Sequence, residues 1–253
     1  MSFVGAYDHY LYAAAALAGT FLAALAVLWA LARPRWAQAA LSWQGVAPPF
    51  INVIGVLFAL TLAFLANDTW GAHDRAIDAV NREADALRSI LTLADGLPSE
   101  EGASARAAVV EYARAVTEEW PRLARRESSP DALMAAESLL AALAGRPLAE
   151  AAPAAAHLMM LQQAVKARDA REARLALSKT HVNPLKWLGM AFLGFVTMLS
   201  VAAVHVGQRR AALAAILLFA LAAGPTAAIV LVHGNPFQPP TAVSPAPIAA
   251  LTR

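Results

Sequence analysis

The charges of this chain are sorted rather than mixed, and that sorting limits what it can fold into. Residues 67–183 carry 17 acidic and 14 basic side chains. The other 136 residues carry seven: Asp8, Arg33, Arg35, Lys186, Arg209, Arg210 and Arg253. Inside that charge-poor part lie four uncharged apolar stretches: Leu11 to Ala32, Val46 to Ala66, Trp187 to Val206 and Ala211 to Val232. A bilayer core takes about 20 helical residues, and a helix apolar on every side suits lipid rather than a soluble surface. The expected fold is therefore all-α, with four transmembrane helices and a helical insert between the second and third. Residues 1–66 hold helices 1 and 2, 67–183 the insert, 184–232 helices 3 and 4, and 233–253 a tail with five prolines.

Tyr7, Tyr10, Tyr12, Trp29, Trp36, Trp43 and Trp187 sit near span ends, where interfacial aromatics gather. The first span reads as a retained helix, because Asp8 precedes it without any Lys or Arg, and its apolar run exceeds that of a leader peptide. Arg33 and Arg35 lie between spans 1 and 2, and Arg209 and Arg210 between spans 3 and 4. Basic loops favour the cytoplasm. That places the insert and termini outside, although Lys179 and Lys186 on the insert side pull the other way.

Beyond span 2 the helical pattern does not stop. Trp70, His73, Ile77, Val80, Ala84, Leu87 and Leu91 recur at three- and four-residue steps, the mark of one helix face. Span 2 is expected to run on to Ala94 as a helix about 70 Å long at 1.5 Å per residue. A second helix begins near Ser99, with Glu100 and Glu101 in its first turn, a stripe Val109–Ala113–Val116–Trp120–Leu123, and Pro121 placed to kink its end. A third begins at Ser129-Pro130, with a stripe Leu133–Ala136–Leu140–Leu143, and ends at Gly145. A fourth runs from Glu150 to His181, before the break at Asn183-Pro184. The insert thus reads as an antiparallel helical bundle. The proline-rich tail is either an ordered strap or a loose end.

No chemistry of the common enzyme classes is spelled out. Without cysteine there is no disulfide framework, thiol nucleophile or cysteine-based metal site. The six histidines show no metal-binding spacing, and no phosphate loop, nucleophile elbow or Ca²⁺ loop is present. The near balance of 20 basic and 18 acidic residues carries no nucleic-acid signal. No enzyme, cofactor or metal role is expected. Glu118 and Glu119 read as a solvated pair on a helix surface. His205, at the end of span 3, reads as a group that reaches the interface.

Span 2 carries two stripes of interest. Ile54, Phe58, Leu62 and Leu65 could form a hydrophobic pore neck if several copies ring an axis, or could simply pack or face lipid. Thr61, Asp68, Arg75 and Arg82, followed by Ser89, form a polar line at seven-residue spacing. It could line an ion path or vestibule, or be an outer bundle face with pairs such as Asp78 with Arg82.

Phe64-Leu65-Ala66-Asn67-Asp68-Thr69-Trp70, Ala79 to Leu87 and Leu97-Pro98 resemble the signature of a bacterial membrane family, the bestrophin-like domain family. Glu119-Trp120-Pro121, Ala170-Arg171 with Leu175-Ala176, Asn235-Pro236-Phe237 and Val243-Ser244-Pro245 fit the same pattern. The resemblance covers about residues 50–250. One departure is Gly234, where the family often has an acid, with Gln238-Pro239 following Phe237. The resemblance implies a homo-oligomeric anion channel, pentameric by kinship with bestrophins, whose second membrane helix lines the neck. It implies a multi-pass protein of the bacterial inner membrane, with lipid and inorganic ions as partners. Bestrophins hold their large soluble part in the cytosol, opposite to the side that the basic loops indicate here. The rival reading is a non-conducting membrane sensor or scaffold whose insert binds a partner.

Overall fold

The computed structural model describes residues 8–43, 45, 47–180 and 183–252. Tyr7, the Val46 start of span 2, the His181 end of the expected fourth insert helix and Arg253 lie outside the described residues. The described residues are helical or irregular, with no strand among them. The chain divides into two compact units, one of residues 7–70 and 181–234, the other mainly of residues 71–180 and 235–253.

The first unit holds α1 (Asp8–Leu31), α2 (Pro34–Ser42), the first half of α3 (Ala47–Ala94), α8 (Pro184–Val204) and α9 (Arg209–Val232). α1, α8 and α9 pack through Ala24, Val27, Met198, Ala202, Ile216 and Ala220. A Cβ at Gly224 would already lie 3.4 Å from Thr20, so a small residue there sets the approach of α9 to α1. Asn183 caps α8: its Oδ1 accepts the Leu185 amide at 3.0 Å, with Pro184 at the first helical position. The stretch between spans 1 and 2 is not the plain loop expected. It contains α2, started by Pro34 and exposing Trp36, Leu41 and the following Trp43.

The second unit holds the rest of α3, then α4 (Ser99–Ala124), α5 (Pro130–Ala144), α6 (Arg146–Ala151), α7 (Ala154–Ser178) and the short α10 (Ala246–Ala249). α3 runs unbroken for 48 residues, as its pattern predicts. The buried face after Trp70 is rotated from the expected one. Trp70 is 52% and Ile77 39% exposed, while Ala72, Ala76, Ala79, Ala86, Ile90 and Ala94 are buried beside Val80, Ala84 and Leu87. Alanines make the seam because they let α4 approach. A Cβ at Gly102 would meet the Ala94 carbonyl oxygen at 2.6 Å.

Three further expectations change. The expected fourth helix is two, because Pro153 lacks an amide hydrogen and holds Ala152 extended (ψ 143°). On α5 the buried residues are Ala132, Leu139 and Leu143, while Leu133 is exposed. Pro121 lies within α4 and the helix continues to Ala124. The tail is ordered: Phe237, Val243 and Ile248 are buried in the same core as Val109, Val116 and Leu143.

Among the described residues, five helical stretches are long and apolar enough to cross a membrane. Four are the expected spans. The fifth, Pro130–Ala151, covers α5 and α6 and is bent at Gly145 (ψ 145°). It buries Ala132, Leu139, Leu143 and Leu148 in the core of the second unit.

Candidate functional site

α3 shows two different faces within the membrane unit. Ile54, Phe58 and Leu62 are half-buried and Leu65 is buried. Leu65 packs with Met190 and Ala227, flanked by Phe58, Leu62 and Trp187. The Phe58 ring lies 5.7 Å from that of Phe219, and a Cβ at Gly194 would sit 3.0 Å from it. In a single chain, this face is packing against α8 and α9. The residues turned outward are Val53, Val56, Leu57, Leu60 and Phe64, the last 69% exposed. At 3.6 residues per turn the polar line of Asp68, Arg75 and Arg82 continues the Leu57–Phe64 face, about 120° from the Ile54–Leu65 face. Asp68, Arg75 and Arg82 are exposed. Thr61 is half-buried and donates to Leu57 O at 2.8 Å. Lys186 Nζ meets Asp68 at 2.7 Å. Arg82 does not pair with the Asp78 carboxylate; its Nε donates to the Asp78 backbone oxygen at 3.3 Å.

One cavity of the membrane unit, of about 310 Å³, is lined by Ala, Gly, Met and Phe side chains, with Thr20 the one hydroxyl. That hydroxyl donates to Ala16 O at 2.7 Å. Water held there would lack partners.

The strongest polar feature lies in the second unit, and it is fully buried. Glu83 on α3, Glu119 on α4 and Arg174 on α7 are each 0% exposed, with Arg171 at 3%. Arg174 Nε donates to Glu83 Oε2 at 3.0 Å, and its Nη2 reaches both Glu83 and Glu119 at 3.3 Å. Arg171 Nη2 donates to Glu119 Oε1 at 2.6 Å, and Tyr112 donates to Glu83 at 2.7 Å. Two carboxylates and two guanidiniums neutralise one another, which is what makes burial affordable. Burial pushes the Tyr112 phenol up, helped by Glu83, so it stays a neutral donor. Burial alone would lower the Arg174 pKa, but Glu83 and Glu119 reverse that and raise it.

Local chain geometry builds the cluster. α4 ends with Arg126 at φ 62°, the Arg126 amide on Leu123 O (3.0 Å) and the Glu127 amide on Arg122 O (2.9 Å). This left-handed exit folds the chain back, so that the Ser129 amide donates to Glu119 Oε1 at 2.8 Å. The tail closes the other side. Trp120 lies 4.8 Å from the Arg174 guanidinium, donates its indole NH to Val243 O at 2.7 Å, and meets Phe237 edge-on. Asn235 and Gln238 donate to the last carbonyls of α4, Leu123 O and Ala124 O.

Glu119 is therefore a core residue, not the solvated surface acid expected from Glu118-Glu119. Arg171 and Arg174 were missed as a pair, although they continue the buried line Ala164–Ala167. Among the described residues, no group of three or more His, Asp or Glu is placed to hold a metal. His205 turns Nδ1 toward Val201 O at 2.9 Å.

No curated protein and no solved structure matches the chain significantly. The elements just described, from the middle of α1 to the Trp120–tail contact, fall within the stretch that does find a match. Residues 18–248 match the family described as Bestrophin-like domain, and the chain belongs to that family of multi-helix membrane proteins.

Proposed function

We propose that this protein is a homo-oligomeric ion channel of the bacterial inner membrane, selective for anions, whose path runs between copies and not through one chain. The observation that carries this reading is the outward face of α3. A row of large apolar side chains, Val53, Leu57, Leu60 and Phe64, leads by helical register into Asp68, Arg75 and Arg82. Copies of such a face around an axis form an apolar constriction followed by a polar mouth. We place the neck on this neighbouring face, because within a single chain Ile54, Phe58, Leu62 and Leu65 lie on the side that packs against α8 and α9. Asp68 is offset by Lys186, which leaves Arg75 and Arg82 to favour anions. The arginine-bearing end of the membrane unit faces the cytoplasm by the basic-loop rule.

Purified protein in liposomes tests the reading. Leu57→Ala with Leu60→Ala widens and wets the constriction, and anion flux rises. Phe58→Ala with Leu62→Ala lowers stability without opening a path. Arg75→Glu with Arg82→Glu moves the reversal potential under a salt gradient toward cations. Silent bilayers from folded, correctly inserted protein, wild type and variants alike, reject the channel. The scaffold reading would then stand on Leu133, Met134, Leu158 and Met159, apolar side chains exposed on the second unit.

A further inference from the structure

The ends of the membrane unit differ sharply in charge. Its only acids are Asp8, at the start of α1, and Asp68, paired with Lys186 at 2.7 Å. Arg33 just before α2, Arg35 in its first turn, and Arg209 and Arg210 at the start of α9 lie at the opposite end of α1. All four are exposed, and none forms an ion pair among the described residues. Arg33 lies flat over Trp29, its guanidinium 3.5 Å from the ring centre.

Two hollows lie at this end, and Leu31 lines both. One, of about 420 Å³, lies between α1, α2 and α8 and is lined by side chains such as Val27, Trp36, Ala39, Trp43, Phe195 and Leu199. Its lining holds no charged side chain, so it suits hydrocarbon and gives water no partners. The other, of about 610 Å³, is lined by Leu28, Leu31, Ala32, Val206 and Leu213 together with Arg209 and Arg210. An apolar slot beside a cavity walled by two unpaired arginines has the two-part chemistry of one ligand: an acyl chain joined to a phosphate.

We propose that an anionic phospholipid occupies this end of the membrane unit, its phosphate at Arg209 and Arg210 and an acyl chain in the slot under α2. α2 roofs the slot, and Arg33 and Arg35 at its start add positive charge on the same side. Charge complementarity selects the headgroup, while the slot selects a lipid over a soluble phosphate. The proposal does not depend on conduction.

Native mass spectrometry of the detergent-solubilised protein tests it, with phosphatidylglycerol and phosphatidylcholine of identical chains as probes. Wild type should retain phosphatidylglycerol about tenfold more tightly, the equivalent of about 1.4 kcal/mol. Arg209→Gln with Arg210→Gln should bring the two lipids level. Ala39→Trp, which fills the slot and leaves the charges, should weaken retention of both. Glycerol phosphate at the same concentration should not compete. Equal retention of the two lipids by wild type, an unchanged preference in the double variant, or full competition by glycerol phosphate each overturns the proposal.

Discussion

The membrane unit and the bundle unit solve the placement of polar groups in opposite ways. The membrane unit keeps its arginines and lysine exposed at its ends and turns Leu22, Leu25, Leu185 and Leu218 outward. The bundle unit buries a network of four charged side chains, Glu83, Glu119, Arg171 and Arg174, with Tyr112, Trp120 and the tail around them. In lipid, apolar surface outside carries no penalty, and small residues suffice to fit helix to helix. In water, an alanine-rich bundle has many near-equivalent packings, since alanine fits almost any register. Glu83, Glu119, Arg171 and Arg174 accept one another in a single geometry only. Such a network is expected to specify which packing forms more than to add to stability.

That contrast predicts a steep response to breaking the network. Arg174→Ala leaves Glu83 and Glu119 buried with too little compensation and should cost about 3–5 kcal/mol. Chemical denaturation, followed by Trp120 fluorescence, measures it. A loss below about 1 kcal/mol would mean that water reaches the cluster, and the contrast would fail. Next in size is Gly102→Ala at the α3–α4 seam, where the new methyl meets a backbone oxygen that cannot turn away. Overpacking should cost about 1–3 kcal/mol, of which the better helix propensity returns up to about 1. A lowered melting temperature is the expected readout, and a raised one would show the seam to be loose. The smallest effect belongs to Ile77→Asp. With the side chain partly exposed, stability should change by about 0.5 kcal/mol or less. A larger loss that grows on dilution would show that another copy of the chain covers this side of α3.

These residues also show what was legible in the sequence. The long α3 was legible because no proline falls between Phe50 and Leu97, and its apolar half passes into a periodic polar half without a stop signal. The short α2 was not, since nine residues begun by Pro34 look like a loop. Glu119 was misread because local sequence says only that two acids adjoin. Its charged partners lie 52 and 55 residues away. A signal did exist: Tyr112, Val116, Glu119 and Leu123 follow one another at helical steps, so a face reading of α4 puts the carboxylate among apolar neighbours. The tail was open between strap and loose end because prolines exclude helix without stating what the chain packs on. The two α3 stripes were found, but their angular separation decides which can face an axis. Burial in a single chain supports the outward face.

The tail contact has a consequence for how the protein is made. Residues 235–253 leave the ribosome only after the last membrane helix, Arg209–Val232, has been synthesised. Yet Phe237, Val243 and Ile248 belong to a core whose other members, such as Val109 and Leu143, were made more than ninety residues earlier. Until the tail arrives, Trp120 has no acceptor for its indole NH and the last turn of α4 lacks Asn235 and Gln238. The bundle core is therefore complete only once its most distant stretch of sequence has been made and folded back onto it.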